Sequence, residues 1–323
     1  MRIEFVSWMI GAALACTVGA ARPGADYPSQ SIRLIVPGAA GSPPDVLARI
    51  IGESLASLGQ PVIVDDRPGA VGTLAYGAVA KAVPDGHTLG IVGLPLVVAP
   101  SLVPKMPYDS AHDLLPVTQL VWTANVLVVR AASPVASLRD LLSLAKMRPG
   151  SLSYASAGSG TPSHLVGELF RHRAGIDVQH VPFKGIPAGL AALMGEQVDF
   201  AFSGVATALP LIQSGKLRAL GSAGTRRLPA LPDLPTIAEL GVAGCEVNEW
   251  YGVVAPVGTP PDVVATLARE LARIVATPKV NMRLAQLGLY SDVQPGADAL
   301  AGLIRNELVL WRQIVREVGI RGE

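Results

Sequence analysis

Two segments in different halves of the chain share one pattern: an apolar run, a turn of Gly, Ser and Pro, and the start of a helix. The first is LIVPGAAGSPPD at residues 34–45, and the second is YASAGSGTPSH at residues 154–164. A helix that follows a strand in this way points its free backbone N–H groups beyond the carboxyl edge of the sheet, where an anion is favoured. The pattern predicts two lobes that each present a helix N-terminus to one shared, carboxylate-bearing ligand.

Short β-branched runs alternate with amphipathic helical stretches, which is typical of α/β folds. After Pro134 the alternation starts again, so we predict a second sheet. The predicted strands are 32–36, 62–64, 89–92, 152–155, 178–181 and 200–202, and the predicted helices are 45–58, 73–82, 138–145, 162–174 and 188–194. Apolar runs at 125–129 and 250–255 are candidates for strands that cross between the lobes. From about residue 262 the chain is predicted to be helical, with a long last helix that returns to the first lobe.

The first residues indicate export. Arg2 precedes a largely apolar stretch from Phe5 to Val18, and Val18-Gly19-Ala20 has the small-residue pattern of a secretory cleavage site. The stretch is shorter than the roughly 20 apolar residues that a membrane-spanning helix needs. We therefore predict a signal peptide at residues 1–20, with a transmembrane anchor or a lipoprotein modified at Cys16 as alternatives.

Composition excludes several classes of protein. The formal net charge is +1, and no Lys/Arg cluster is longer than Arg226-Arg227, so the chain lacks the electrostatic footprint of a nucleic-acid-binding protein. The five histidines and two cysteines form no pair at metal-ligand spacing, and Cys245 would stand alone after removal of a signal peptide. We expect no metal, no cofactor and no intramolecular disulfide. With 323 residues, half of them hydrophobic, two domains are favoured.

The two turns differ in their charge. Ser42 is predicted to cap the first helix, with Pro43 at its first position and Asp45 completing a capping-box-like pair. The second turn carries no such acid, which leaves its N–H groups and the hydroxyls of Ser159, Thr161 and Ser163 free for a ligand. We therefore place the main carboxylate site on the second lobe and assign Asp45 a ligand hydroxyl, an ammonium group or a bridging water.

Capping alone does not make a site. The TPPD segment at 259–262 has the same capping pattern, but no glycine-rich approach brings the backbone toward a ligand there. The pattern is therefore functional only where glycines accompany it.

Short motifs along the chain carry a resemblance to a known family. In the first half they are YPS at 27–29, IRLIVP at 32–37, DVLAR at 45–49, GQPV at 59–62, RPGA at 67–70 and PDGHTL at 84–89. In the second half they are LSYASAG at 152–158, VPFKG at 181–185, GKLRAL at 215–220, LPDLPT at 231–236 and APVGTP at 255–260. Together they resemble the Bug (TctC-like) family, the extracytoplasmic solute receptors of tripartite tricarboxylate transporters.

The resemblance implies a two-lobed α/β periplasmic binding protein of type II topology with two crossover hinge strands. The first lobe would comprise 27–124 and 254–323, and the second lobe 125–253 with the hinge strands. The implied function is capture of a small organic carboxylate in the cleft between the lobes and its delivery, from a periplasmic monomer that performs no chemistry, to membrane permease subunits. The candidate ligand-binding residues are Ala40, Gly41, Ser42, Asp45, Ala157, Gly158, Ser159, Gly160, Thr161, Ser163, His164, Lys184 and Ser203.

Two departures from the family pattern bear on the ligand. Pro43 and Pro44 remove two backbone donors from the first turn. Ser203 stands where many members carry an acidic residue that can bind an ammonium group, so we expect a non-amino mono- or dicarboxylate, with an aromatic ligand suggested by Trp122 near the crossover. For Lys184, a ligand contact and a loop cap are equally open, and for Trp250 and Tyr251 hinge packing is favoured over a ligand contact.

Two other functions remain as alternatives. The loaded receptor could contact a membrane signalling partner instead of a permease. A secreted α/β hydrolase with Ser159 or Ser163 as nucleophile is less favoured, because a nucleophile elbow requires Gly-x-Ser-x-Gly and Ser159 is flanked directly by Gly158 and Gly160.

Overall fold

The computed structural model describes residues 27–320. The predicted signal peptide at 1–20 and the alternative modification at Cys16 lie outside the described residues. Within residues 27–320, no helix combines the length and the apolar character that crossing a bilayer requires.

The first lobe alternates strands and helices from its start. Its elements are β1 (Ile32–Val36), α1 (Pro43–Leu55), β2 (Val62–Asp66), α2 (Thr73–Ala80), β3 (Thr88–Gly93) and α3 (Leu94–Leu102). The long strand β4 (Leu114–Arg130) then leads into the second lobe. The second lobe contains α4 (Leu138–Met147), β5 (Leu152–Ser156), α5 (Pro162–Ala174), β6 (Val178–Pro182), α6 (Ile186–Met194), β7 (Phe200–Gly204), α7 (Val205–Gln213) and β8 (Leu217–Ser222).

The chain returns to the first lobe through β9 (Asn248–Pro256) and ends in helices α8 (Pro261–Ala276), α9 (Pro278–Gln286) and α10 (Ala297–Val318). All predicted strands and helices are confirmed, with shifts of their ends. Sequence reasoning missed α3, α7, β8 and the first half of β4. Helix α3 is apolar on all sides and contains Pro95 and Pro100, so it lacks the periodic polar face by which a surface helix is recognised.

One mixed sheet runs through the molecule in the order β2-β1-β3-β9-β4-β7-β5-β6, with β8 also paired to β4. Strands β1, β2 and β3 are parallel, and so are β5, β6 and β7. Strand β9 lies antiparallel between β3 and β4. The two parallel groups form the two lobes of a periplasmic-binding-protein fold, as predicted.

Strand β4 belongs to both lobes. Its first part, up to Ala124, pairs with β9, and from Asn125 onward it pairs with β7 and β8. The chain crosses back between the lobes beside the first crossing. The Val247 N–H donates to Ala223 O in the second lobe, and the next residue, Asn248, pairs with Ala124. Strand pairing thus favours a return crossing near residue 247, and the predicted division at 253/254 stays a prediction.

The C-terminal helix α10 packs mainly against elements at the first-lobe end of the sheet. It packs on α3 and β4 and buries Leu300, Ile304, Trp311 and Val315. It also contacts the second lobe, since Arg173 on α5 forms an ion pair with Glu317 at 2.7 Å. Helix α10 therefore contacts elements of both lobes.

Candidate functional site

A cavity of about 190 Å³ lies between the two lobes. It is lined by loop and helix residues of both lobes and by residues of the two crossing strands: Pro37, Gly38, Ser42, Pro43, Pro44, Tyr76, Gly93, Leu94, Pro95, Asn125, Ala157, Thr161, Pro162, Ser163, Ile186, Gly204, Thr207, Glu249 and Tyr251. Among these lining residues, Glu249 is the one with a side chain that is charged at neutral pH in its ordinary state. The wall contains no Lys, Arg or His within the described part of the chain.

Helix N-termini form most of the wall. Of the helices in residues 27–320, five contribute residues of their first turn or cap: α1 and α3 from the first lobe, and α5, α6 and α7 from the second. The N–H groups of a first helical turn have no intrahelical acceptor, and the helix dipole places partial positive charge there. These helix starts therefore place partial positive charge at the wall of the cavity without any basic side chain.

Sequence reasoning found two of these five helix starts, those of α1 and α5. The other three helices each have glycine as N-cap at the end of a strand or of the turn that follows it: Gly93, Gly204 and Gly185. A glycine at the carboxyl end of a predicted strand, immediately before an apolar segment, was the available signal.

In the first turn, both oxygens of the Asp45 carboxylate have partners within the protein. Its Oδ2 accepts from the Gly41 N–H at 2.7 Å, and its Oδ1 forms an ion pair with Arg49 at 2.7 Å. The predicted cap by Ser42 is wrong, because the Ser42 side chain makes no capping hydrogen bond. Asp45 is 2% exposed and does not line the cavity, whereas Ser42 does.

In the second turn, the hydroxyls are used to shape the loop. Ser163 Oγ accepts from the Ala157 N–H at 2.9 Å, and Thr161 Oγ1 donates to Gly158 O at 2.6 Å. His164 Nδ1 accepts from the Gly160 N–H at 3.1 Å. The expectation that the Thr161 and Ser163 hydroxyls are free is therefore wrong. The N–H groups of the first turn of α5 remain as donors, and Ser163 brings one of them to the cavity.

The structure brings Ser42, Ala157, Thr161 and Ser163 together at the cavity, out of the thirteen candidate residues. The remaining candidates do not line it: Ala40, Gly41, Asp45, Gly158, Ser159, Gly160, His164, Lys184 and Ser203. Ser159 and His164 line a separate polar cavity with His180 and Glu168. Ser203 is buried in β7 and donates to Gly204 O, and its neighbour Gly204 lines the cavity instead.

The crossing strands contribute a hydrogen-bonded cluster that sequence reasoning missed. Asn125 Nδ2 donates to Glu249 Oε1, and Tyr251 OH donates to Glu249 Oε2 at 3.2 Å. Glu249 is 6% exposed, and burial raises the pKa of its carboxyl to about 7, against the lowering effect of these two donors. Tyr251, for which the sequence favours hinge packing over a ligand contact, contributes to the wall of the cavity.

Two other hydroxyls of the wall lack partners. Within the described residues, the buried Ser42 Oγ and Tyr76 OH make no hydrogen bond of normal geometry. The nearby Gly93 N–H only partly offsets the rise that burial causes in the pKa of Tyr76. Buried hydroxyls without partners are costly, and a ligand or a water molecule in the cavity would satisfy them.

The lobes touch at the rim of the cavity. A Cβ placed on Gly160, in the second turn, would lie 2.9 Å from Val71 Cγ2 and 3.3 Å from Leu102 Cδ1 in the first lobe. Gly160 has a φ of +75°, and Val71 also has a positive φ of 53°. This close approach requires glycine at position 160.

The sequence and the fold of this chain are similar to those of known proteins. Residues 47–320 match the family described as "Tripartite tricarboxylate transporter family receptor". Protein BugT of Bordetella pertussis (strain Tohama I) is 36% identical, covering 94% of this chain and 95% of BugT. The R. palustris Rpa4515 structure with adipate has a TM-score of 0.86 at 32% identity, covering 92% of this chain and 100% of the other. The MatC structure from Rhodopseudomonas palustris with bound malate has a TM-score of 0.82 at 35% identity, covering 90% and 100%.

Proposed function

The chain belongs to the tripartite tricarboxylate transporter receptor family, and we propose that it captures a small organic carboxylate in the cavity between its lobes. Members of this family are solute-binding receptors rather than enzymes, so the hydrolase alternative has no support. The observation that carries the proposal is the convergence of five helix N-termini, within residues 27–320, on one cavity that lacks basic side chains.

A ligand carboxylate fits best against the N-terminus of α5. The first turn of α1 contains Pro43 and Pro44, which have no N–H, and its Asp45 adds negative charge near that end. The first turn of α5 contains Pro162 but keeps the N–H groups of Ser163 and His164. The second lobe therefore offers more donors to a carboxylate than the first.

Binding would be coupled to closure of the cleft. The lobes are connected by two adjacent strand crossings, near residues 124 and 247, about which they can rotate. A ligand that contacts both walls binds the closed form more tightly than the open form, and this difference in affinity drives closure.

The partner and the location follow from the family rather than from the cavity. We expect a periplasmic protein that presents its closed, loaded form to the permease subunits of a tripartite tricarboxylate transporter. A membrane signalling partner is the second candidate. The related structures with adipate and malate support a dicarboxylate or a ligand of similar size.

A thermal-shift screen tests the proposal. Purified protein is unfolded and refolded to remove any co-purified ligand, and is then heated with di- and tricarboxylates, aromatic acids and amino acids. A ligand at about a hundred times its Kd stabilises the protein by roughly 2.7 kcal/mol, which raises Tm by several degrees.

A matched pair of variants assigns the binding to the cavity. Thr207→Trp fills space at the wall and should abolish the shift, whereas Ala265→Trp on the exposed side of α8 should retain it. A shift that survives Thr207→Trp, or no shift with any carboxylate, would contradict the proposal.

A further inference from the structure

Resting on the proposed function, we propose that the ligand carries an ammonium group as well as a carboxylate, and that Glu249 binds this ammonium group. The ligand class is then an amino acid or a similar zwitterion. Glu249 becomes the residue that selects it over the corresponding acid without an amino group.

Glu249 lies where a ligand between the lobes would meet it. Its carboxyl lies in the wall between Asn125 and Tyr251, on the crossing strands where both lobes meet. It is 6% exposed, and among the lining residues of the described chain no cationic side chain accompanies it. A buried carboxylate without a cationic partner is unfavourable, and a ligand cation would supply that partner.

The carboxyl of Glu249 is held by two hydrogen-bond donors. Each of its oxygens accepts one hydrogen bond, from Asn125 and from Tyr251. Both partners donate, so these two hydrogen bonds favour the ionised form of the carboxyl and partly offset the rise in pKa that burial causes. A carboxylate oxygen can accept more than one hydrogen bond, which leaves capacity for the N–H donors of an ammonium group.

The wall of the cavity is complementary to a ligand that carries both charges. Helix N-termini on both lobes favour the carboxylate of the ligand, whereas Glu249 disfavours a second negative charge close to the crossing strands. A zwitterion satisfies both parts of the wall. An acid that lacks the amino group would place its carboxylate in the same cavity as an uncompensated Glu249.

The sequence-based expectation of a non-amino ligand rested on Ser203. In the sheet, however, Ser203 pairs with Val126 and the adjacent Gly204 pairs with Asn125, which binds Glu249. Strand β9 thus brings an acidic group to the cavity beside the end of β7. The acid absent at position 203 is supplied from a strand more than forty residues later in the chain.

Isothermal titration calorimetry with pairs of ligands tests this inference. The pairs are aspartate with succinate, glutamate with glutarate, and phenylalanine with 3-phenylpropanoate, at pH 8 with refolded protein. We expect the amino member of at least one pair to bind at least tenfold more tightly. Glu249→Gln should remove this preference, because it removes the charge while keeping the shape of the side chain.

Controls make the outcomes distinct. Glu53→Gln changes an exposed glutamate that pairs with Arg283 and should leave the preference intact. If Glu249→Gln does not fold, Glu249→Asp serves instead, since a carboxylate withdrawn by one methylene should weaken the amino ligand selectively. Equal or tighter binding of the acids without amino groups overturns this inference and leaves the proposed function standing. No binding of any acid in the panel overturns both.

Discussion

The first and second turns share a sequence pattern but use their polar groups differently. In the first turn, Asp45 binds Gly41 and Arg49, and the hydroxyl of Ser42 has no partner within residues 27–320. In the second turn, Ser163 and Thr161 bind the loop backbone. Side chains therefore shape the second turn and leave its backbone for the ligand, whereas the first turn offers the hydroxyl of Ser42 and few N–H groups.

The difference shows that a capping-like sequence identifies a helix start but not the groups that face a ligand. Ser42 and Thr161 occupy equivalent N-cap positions, and neither caps its helix through its side chain. The residue at the third helical position accepts a glycine N–H of its own turn in both cases, Asp45 from Gly41 and His164 from Gly160. The turns differ there in the charge of the acceptor, which is a carboxylate in α1 and an imidazole nitrogen in α5.

The largest expected effect concerns Glu249, which lines the same cavity as residues of both turns. Glu249 has a pKa of about 7 in the folded protein against an ordinary value of 4.5, so the folded state binds its proton more tightly than the unfolded state. Stability should therefore fall as the pH rises from 4.5 to about 7. Glu249→Gln removes this loss, and its free energy of unfolding should exceed that of wild type by about 3 kcal/mol at pH 8 and by little near pH 4.

Urea denaturation at several pH values measures this difference, with Glu53→Gln as the exposed control. A difference in free energy of unfolding that does not depend on pH would show that burial does not perturb the pKa of Glu249. A difference that grows with pH but stays well below about 3 kcal/mol would mean that the surrounding helix N-termini stabilise the ionised carboxylate.

The next effect concerns the contact that the second turn makes with the first lobe. Gly160→Ala places a methyl group 2.9 Å from Val71 Cγ2, so it should disfavour the closed form by about 1–3 kcal/mol and weaken ligand binding roughly ten- to a hundredfold. Gly175→Ala is the matched control, because Gly175 also has a positive φ, of +60°, but no atom of residues 27–320 lies within 4 Å of the added methyl group.

Calorimetric Kd values measure the loss of ligand affinity, and urea midpoints measure the loss of stability from backbone strain. Both variants should lose similar stability from backbone strain, and Gly160→Ala alone should lose affinity. Equal affinities of the two variants would mean that the second turn does not move against the first lobe on binding.

The smallest effect tests the two serines directly. Ser163→Ala removes the acceptor of the Ala157 N–H and should destabilise the empty protein by about 1 kcal/mol. Ser42→Ala removes a buried hydroxyl without a partner in the described residues, so the stability of the empty protein should change by less than about 0.5 kcal/mol. Urea denaturation without ligand measures both, and the reverse order would contradict the contrast between the turns.

The sequence predicted the parts of the fold that have local signals. The alternation of strands and helices, the two lobes and the return of the last helix all follow from periodicity and turn residues. Helix α3 was missed because it has no polar face, and strand β8 was missed between α7 and the long segment before β9.

The candidate site was harder to predict because it depends on register. The starts of α1 and α5 were recognisable from their glycines and prolines, but Asn125, Glu249 and Tyr251 meet only because β4 and β9 pair antiparallel at the crossing. Nothing in the local sequence around Glu249 indicates that its side chain reaches a cavity formed by loops from both lobes.

The place of β9 in the sheet also affects how the chain can be made. Strand β9 separates β3 from β4, and helix α10 covers β4 and α3, so the first lobe needs residues from both ends of the chain. During synthesis the first lobe cannot complete its sheet until β9 has left the ribosome, long after β1 to β3. A chain that ends before β9 would therefore leave the facing edges of β3 and β4 without the strand that both of them pair with.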